Sequence, residues 1–333
     1  MVEAMPELSH TLVCAFSALL FWTAIGWPLA TRFLPQEGFA LAIAPSLGWA
    51  VFNAAALPIL FVTGFTSWTV ALVAGTALAA AAVVAIGSWR QALQLPNAPS
   101  LAYGAAALLA LAPAVAIWPK FAGDGVRLTP QMYDHSKIAI IDDIARLGLP
   151  PGNPFFGDAE PHLAYYYLWH FSGAVLSKLL GVSGWEADIA VTWFTAFASL
   201  TLMMALAVRF GGRRAALWVV LVSVPLSARP ILLAALGREN YRELLSSSTG
   251  LQAWLAQSSW SPQHLAGACC VLLAVMLMVQ LVEAPSRRLA LVLALVAAAG
   301  FESSAWIGGI AFVVAITGMY AWITRLSRTA LHG

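Results

Sequence analysis

Long apolar stretches divide the chain into candidate membrane-spanning helices. No Asp, Glu, Lys or Arg occurs from Gly38 to Trp89, and none occurs from Gln91 to Pro119. A spanning helix needs roughly 20 apolar residues, so the first stretch holds two spans. The pattern predicts spans at 11–31, 38–62, 67–89, 99–118, 163–181, 187–208, 214–236, 262–282 and 289–324.

The last of these tracts is too long for one crossing at a rise of about 1.5 Å per residue. Gly300, Gly308 and Gly309 offer break points, so we expect two segments there and nine or ten spans in all. The expected fold class is an all-α, polytopic transmembrane helical bundle. Its predicted parts are N-terminal spans over 1–118, an extramembrane loop over 119–162 and core spans over 163–333.

The third span is a run of alanines with small residues four positions apart. Small residues at this spacing let helix backbones approach closely in a membrane. We therefore expect close helix packing along this span.

Composition agrees with a membrane protein and excludes a soluble globular enzyme. The 333 residues are 61 % hydrophobic and 10 % charged, and mean hydropathy is +0.81. The net charge of +2 gives no reason to expect a nucleic-acid partner. Glu3 and Glu7 stand where a cleavable signal would carry Lys or Arg, so we expect the first apolar stretch to be retained as a span.

One polar loop interrupts the apolar pattern. Ten of the 32 charged residues lie between Lys120 and Glu160. Within this loop, isoleucines at helical spacing predict an amphipathic helix over 136–148, capped by Ser136 and ended by Gly148. An amphipathic helix bracketed by spans is expected to lie at the membrane surface.

Carboxylates of this loop are candidates for chemistry. Asp124 and Asp134 could act as a general base or bind a divalent cation, and His135 and Lys137 follow Asp134 directly. A carboxylate near a helix start is also favoured by the helix dipole, which is a structural alternative. For three further acids we expect solvation alone: Asp142, Asp143 and Asp158.

The predicted fifth span begins with polar side chains at intervals of four. His162, Tyr166 and His170 would line one stripe of a helix. Polar groups within a span point into the bundle or a wet cavity, so we interpret the stripe as facing substrate. The two histidines are two turns apart, too far to hold a metal alone.

Polar residues in later apolar runs add further candidates. If Arg229 lies within a span, its charge needs a partner or a functional role. If the helix ends before it, Arg229 is interfacial and could bind a phosphate. Glu302 stands between apolar segments and is expected to be functional for the same reason. Gln263 and His264 open the eighth span after Pro262, as a cap or a substrate contact.

The loop and the aromatic segment after it resemble the GT-C superfamily of integral-membrane glycosyltransferases. The matching order is Asp134-His135, then IAIIDDIARLGLPPGNPFFG, then YYYLWHF. The resemblance covers about residues 115–215, with weaker support from WSPQH and Glu302. It implies sugar transfer from a polyprenyl-phosphate-linked donor in the membrane to an acceptor at its outer face.

The resemblance also implies roles for individual residues. Asp134, or Asp124 in its place, would activate the acceptor or bind a divalent metal ion. His135 and Lys137 would neighbour the sugar phosphate, and Arg229 would clamp the phosphate. The expected location is a cell membrane, specifically a bacterial inner membrane, with the long loop on the external side.

Two other functions fit the residues. A transporter or flippase of a small or lipid-like solute would use His162, His170, Arg229 and Glu302 along an intramembrane path. ATP-driven transport is disfavoured, because no GxxxxGKS phosphate loop occurs. A non-catalytic subunit of an envelope-assembly complex would use none of these side chains chemically.

The basic residues conflict with an external loop if every predicted span crosses. Arg32, Arg90 and Lys178 then fall on one face, and a second group falls on the other: Arg209, Arg213, Arg214, Arg287 and Arg288. The positive-inside rule would place the second group in the cytoplasm, and the long loop with it.

Overall fold

A computed structural model describes residues 6–34, 40–92, 99–118, 120–122, 125–127, 136–153, 162–223 and 254–332. The helices are α1 (Leu8–Phe33), α2 (Ala40–Thr63), α3 (Ser67–Ala92), α4 (Ser100–Leu109), α5 (Leu111–Ile117), α6 (Ser136–Leu147), α7 (Leu168–Leu180), α8 (Gly184–Gly211), α9 (215–223), α10 (Trp254–Trp260), α11 (Pro262–Glu283), α12 (Arg287–Ser303), the π-helix Ala305–Ile310 and α13 (Ala311–His332). Two three-residue strands, β1 (Lys120–Ala122) and β2 (Gly125–Arg127), pair antiparallel.

The predicted all-α, polytopic bundle is confirmed. Among the described residues, six helical stretches are long and apolar enough to cross a membrane: α1, α2, most of α3, α4 with α5, α8 and α11. Helices from both halves of the chain share one core, in which Trp22, Ile43, Phe194, Leu273 and Val296 are buried. Helix α8 lies at the centre, since most of its side chains are buried.

The fifth predicted span is wrong. Helix α7 has 13 residues, too few to cross a bilayer. It ends at Gly181, whose positive φ of 68° ends the helix, and α8 begins at once with a capping box between Ser183 and Glu186. The chain therefore enters and leaves α7 on the same side of the bundle.

Contacts at the start of α8 identify that side. Gly184 N–H donates to Asp142 Oδ1 of α6 at 3.0 Å. Glu7 N–H, just before α1, donates to Glu186 Oε1 at 3.0 Å. The starts of α1 and α8 thus lie together with the loop helix α6, on what we call the loop side.

The face assignment from the sequence changes accordingly. Because α7 does not cross, α1 and α8 run from the loop side to the opposite side, and α11 runs the same way before α12 returns. Lys178, in the last turn of α7, lies on the loop side. The opposite side collects arginines at the far ends of the helices: Arg32, Arg90, Arg209, Arg213, Arg214, Arg287 and Arg288.

The last apolar tract forms two segments, as predicted. Helix α12 ends at Ser303, Ser304 is extended, and the π-helix then leads into α13. Gly308 packs directly on the backbone of Gly300, where a Cβ atom would overlap the carbonyl group of Gly300. The glycines thus let the two segments touch after the break.

The closest helix packing is between α1 and α2, while α3 packs on α1 through a narrow stripe that includes Ala74 and Ala81. In α1 and α2, a Cβ atom on Gly26 would overlap the carbonyl of Ala44, and one on Gly48 would overlap that of Trp22. Along α3 few residues are buried, and Gly75 has nothing near it. Three alanines of α3 also line a cavity of about 630 Å³ between α1, α2 and α3: Ala77, Ala80 and Ala81.

Helix α6 confirms the prediction of an amphipathic loop helix. Gly148 follows it with φ +95° and donates to Ile144 O at 3.0 Å, which is a helix-ending conformation. The isoleucines form its buried side: Ile138, Ile140, Ile141 and Ile144. This side packs on α7 and α8, so the helix lies against the bundle as well as at its surface.

Candidate functional site

The predicted stripe of His162, Tyr166 and His170 is wrong, because helix α7 starts only at Leu168. His162 is exposed and forms an isolated β-bridge with Gly152. Leu163 N–H donates to the carbonyl of Pro151 at 3.0 Å. The segment therefore pairs with the proline-rich end of the loop instead of forming helical hydrogen bonds.

Five side chains nevertheless meet on the loop side, and we call them the loop-side cluster: Tyr165, Tyr166, His170, Gln263 and His264. The rings of Tyr165 and Tyr166 stack with their centroids 4.1 Å apart. His264 lies 5.7 Å from Tyr166, and His170 lies 6.1 Å from Tyr165, between ring centroids. Gln263 Nε2 donates to Tyr165 Oη at 3.5 Å.

The break between α12 and the π-helix orients His264. Its Nδ1 lies 2.9 Å from Ser304 Oγ, which also accepts the N–H of Ile307 at 3.1 Å. Pro262 suits the first turn of α11, as predicted, and places Gln263 and His264 directly at the start of that helix. Ser304 is a contact that the sequence did not indicate.

Lys137 of α6 is buried, with 1 % of its surface exposed. Its Nζ lies 3.6 Å from Asp188 Oδ1 of α8 and donates to the carbonyl of Ser259 at 2.8 Å. The ammonium also lies 5.8 Å from the centroid of the Trp169 ring. Lys137 was expected to neighbour a sugar phosphate. Its ammonium is instead paired with Asp188 inside the bundle.

Asp188 is a polar residue that sequence reasoning missed. It is 2 % exposed, and it accepts from Thr192 Oγ1 as well as pairing with Lys137. The available signal was a carboxylate in an otherwise apolar stretch, since such groups need a partner.

The expectation that Asp142 and Asp143 are only solvated is wrong, because both carboxylates accept backbone hydrogen bonds. Asp142 accepts from Gly184 N–H at the start of α8, and Asp143 Oδ2 accepts from Gly152 N–H at 2.7 Å. Both carboxylates thus fasten α6 to the segments that follow it.

Two tyrosines in the segment before α7, Tyr166 and Tyr167, have raised pKa values. Burial, and then a hydrogen bond with Tyr165, raise the pKa of Tyr166. Burial, and then the negative charge of Glu302, raise the pKa of Tyr167. Both hydroxyl groups therefore stay neutral at physiological pH, and exposed Glu302 lies within electrostatic reach of the segment before α7.

Several predicted residues lie outside the described part of the chain: Asp124, Asp134, His135, Asp158 and Arg229. Their roles stay predictions. Within the described ranges, no three His, Cys, Asp or Glu side chains lie together as a metal site. The described side chains therefore do not form a metal site.

Two buried polar atoms of the cluster lack hydrogen-bond partners within the described part of the protein. They are His170 Nδ1 and Gln263 Oε1. Their side chains are 1 % and 5 % exposed, respectively. Buried polar atoms in native proteins are nearly always paired with protein or water, so a water molecule or a ligand is expected here.

Comparison with known proteins gives one informative match. A Sinorhizobium fredii (strain NBRC 101917 / NGR234) protein described as "Uncharacterized protein y4nK" is 34 % identical over 302 residues. The match covers 87 % of this chain and 45 % of that protein, so the chain spans less than half of the relative's length. No protein-family model and no solved structure matches the chain. The chain is thus a multi-pass helical membrane protein similar to a longer bacterial protein.

Proposed function

We propose that the protein is a membrane glycosyltransferase that moves a sugar from a polyprenyl-phosphate-linked donor to an acceptor at the outer face of the membrane. The observation that carries this proposal is the position of α6. This amphipathic helix follows Asp134 and His135 directly, packs on the loop side of the bundle and adjoins the polar loop-side cluster through α7. The resemblance to the GT-C superfamily implies such a helix in the first large external loop.

The distribution of arginines supports an external loop. Seven arginines lie at the ends of helices on the side opposite α6. Cytoplasmic loops carry an excess of Lys and Arg, so this opposite side is assigned to the cytoplasm. We therefore propose that the loop side faces outward. Because α7 is not counted as a span, this orientation no longer conflicts with the positions of the arginines.

In this mechanism sugar transfer takes place at the level of the lipid headgroups, on the loop side of the bundle. Asp134, with Asp124 as the second candidate, accepts the proton of the acceptor hydroxyl as that oxygen attacks the sugar carbon. The bond from that carbon to the phosphate oxygen breaks, and negative charge develops on the leaving phosphate. Arg229 and His135 stabilise this charge.

The test is a transfer assay with the full chain in lipid nanodiscs. Polyprenyl-phosphate-linked hexoses are supplied with membrane extract as the source of acceptor, and release of polyprenyl phosphate is measured. We expect Asp134→Asn to abolish release while donor binding is retained. Glu283→Gln is the matched control, because it is the same kind of change on the opposite side.

Two results would contradict the proposal. One is the absence of polyprenyl phosphate release with every donor. The other is release that is equal in Asp134→Asn and the unmodified protein, as expected for a non-catalytic subunit.

A further inference from the structure

We propose that the loop-side cluster binds the pyranose ring of a neutral sugar. This inference rests on the proposed function for identifying that sugar as the group transferred, while the binding site itself rests on the geometry alone.

The stacked tyrosines provide a flat aromatic surface. Tyr165 and Tyr166 lie 4.1 Å apart between centroids, and Tyr165 is 40 % exposed. One face of a pyranose is a row of C–H groups, which packs on an aromatic ring. Tyrosine also presents a polar hydroxyl beside its apolar ring, so it suits a ligand with both kinds of surface.

Two polar atoms near this surface have no hydrogen-bond partner among the described residues. One end of the Gln263 amide is bound to Tyr165, and the other end has no partner within the described residues. His170 Nδ1, on a ring whose centroid lies 6.1 Å from that of Tyr165, likewise has no hydrogen-bond partner among the described residues. A sugar hydroxyl both donates and accepts, so it can satisfy the free end of the amide whichever way the amide is turned.

The charges around the cluster favour a ligand without a carboxylate. The ammonium of Lys137 is paired with Asp188 and bound to Ser259, so it is not available to an anion. Glu302 acts on neighbouring Tyr167 with negative charge. The carboxylate of a uronic acid would be repelled by Glu302, and Lys137 would not compensate for this repulsion. A neutral hexose carries no charge and would not be repelled.

The experiment measures binding of simple glycosides to the full chain in nanodiscs of phosphatidylcholine and phosphatidylglycerol. Sugar-based detergents are avoided because they would occupy the site. The probes are the methyl pyranosides of glucose, mannose and galactose, with methyl glucuronide as the charged comparison, followed by saturation-transfer NMR. We expect at least one neutral glycoside to receive saturation and the glucuronide to receive none.

Variants then locate the binding. Tyr165→Ala and Gln263→Leu are each expected to weaken binding about tenfold, which corresponds to about 1.4 kcal/mol. Tyr165→Phe restores the ring and is expected to recover most of the binding lost in Tyr165→Ala. Tyr320→Ala changes an exposed tyrosine of α13 and serves as the control.

The outcomes separate this inference from the proposed function. If glycosides bind here but no donor supports transfer, the binding site stands and the glycosyltransferase proposal falls. If transfer occurs but no glycoside binds, or if Tyr165→Ala and Gln263→Leu bind glycosides as tightly as the unmodified protein does, this inference is overturned and the transferase proposal stands.

Discussion

Breaking the buried ion pair between Lys137 and Asp188 should destabilise the protein strongly. Both side chains are almost fully buried, and the ammonium also binds the carbonyl of Ser259. Removing one partner leaves an uncompensated buried charge, which costs about 3–5 kcal/mol. At about 2–4 °C per kcal/mol, Lys137→Met or Asp188→Leu should lower the melting temperature by about 10 °C.

The double variant distinguishes charge from packing. Replacing a buried pair with apolar residues of similar volume is often neutral or stabilising. Lys137→Met/Asp188→Leu should therefore melt above either single variant. The assay is thermal unfolding of the purified protein in detergent, followed by tryptophan fluorescence and size-exclusion chromatography.

The control is Arg146→Met, which removes a charge from the exposed side of the same helix. An exposed substitution of this kind should change stability by about 0.5 kcal/mol or less. Single variants at Lys137 and Asp188 that melt within 2 °C of the unmodified protein, or a double variant whose loss equals the sum of the single losses, would refute the reasoning.

Three further predictions follow from other parts of the fold. Gly26→Val should abolish recovery of folded protein in chromatography, because the side chain would enter α2, whereas Gly75→Val should be recovered normally. Asp142→Ala should lower the free energy of unfolding by about 1 kcal/mol, measured by thermal melting, because α8 loses an acceptor at its first turn; an unchanged melting temperature would contradict this cap. In intact cells, Leu147→Cys should react with an impermeant maleimide and Arg213→Cys should react only after permeabilisation, and the reverse pattern would refute the assigned orientation.

The helices were predictable where the local sequence determines them. Helix α6 follows from isoleucines on one side and from Gly148, the residue type best suited to its positive φ. The break in the last tract follows from its length and its glycines. In both cases neighbours in sequence provide the periodicity and the breaking residue.

The site was less predictable because it depends on contacts between distant segments. The aromatic run from Tyr165 looks helical in isolation, yet the preceding Leu163 bonds to Pro151, and that pairing removes the predicted stripe. Gln263 and His264 were identified singly, but only folding brings them to the tyrosines. The partner of Lys137 lies 51 positions away in another helix, and no local pattern reveals it.

The ion pair between Lys137 and Asp188 also limits how the protein can move. Moving α6 away from α8 would leave the charges of Lys137 and Asp188 buried without a partner, which is unfavourable. These two helices should therefore move as one rigid body. If α6 stays in place, a ligand must reach the tyrosines by movement of other segments, and for the proposed lipid-linked donor this favours entry from the membrane.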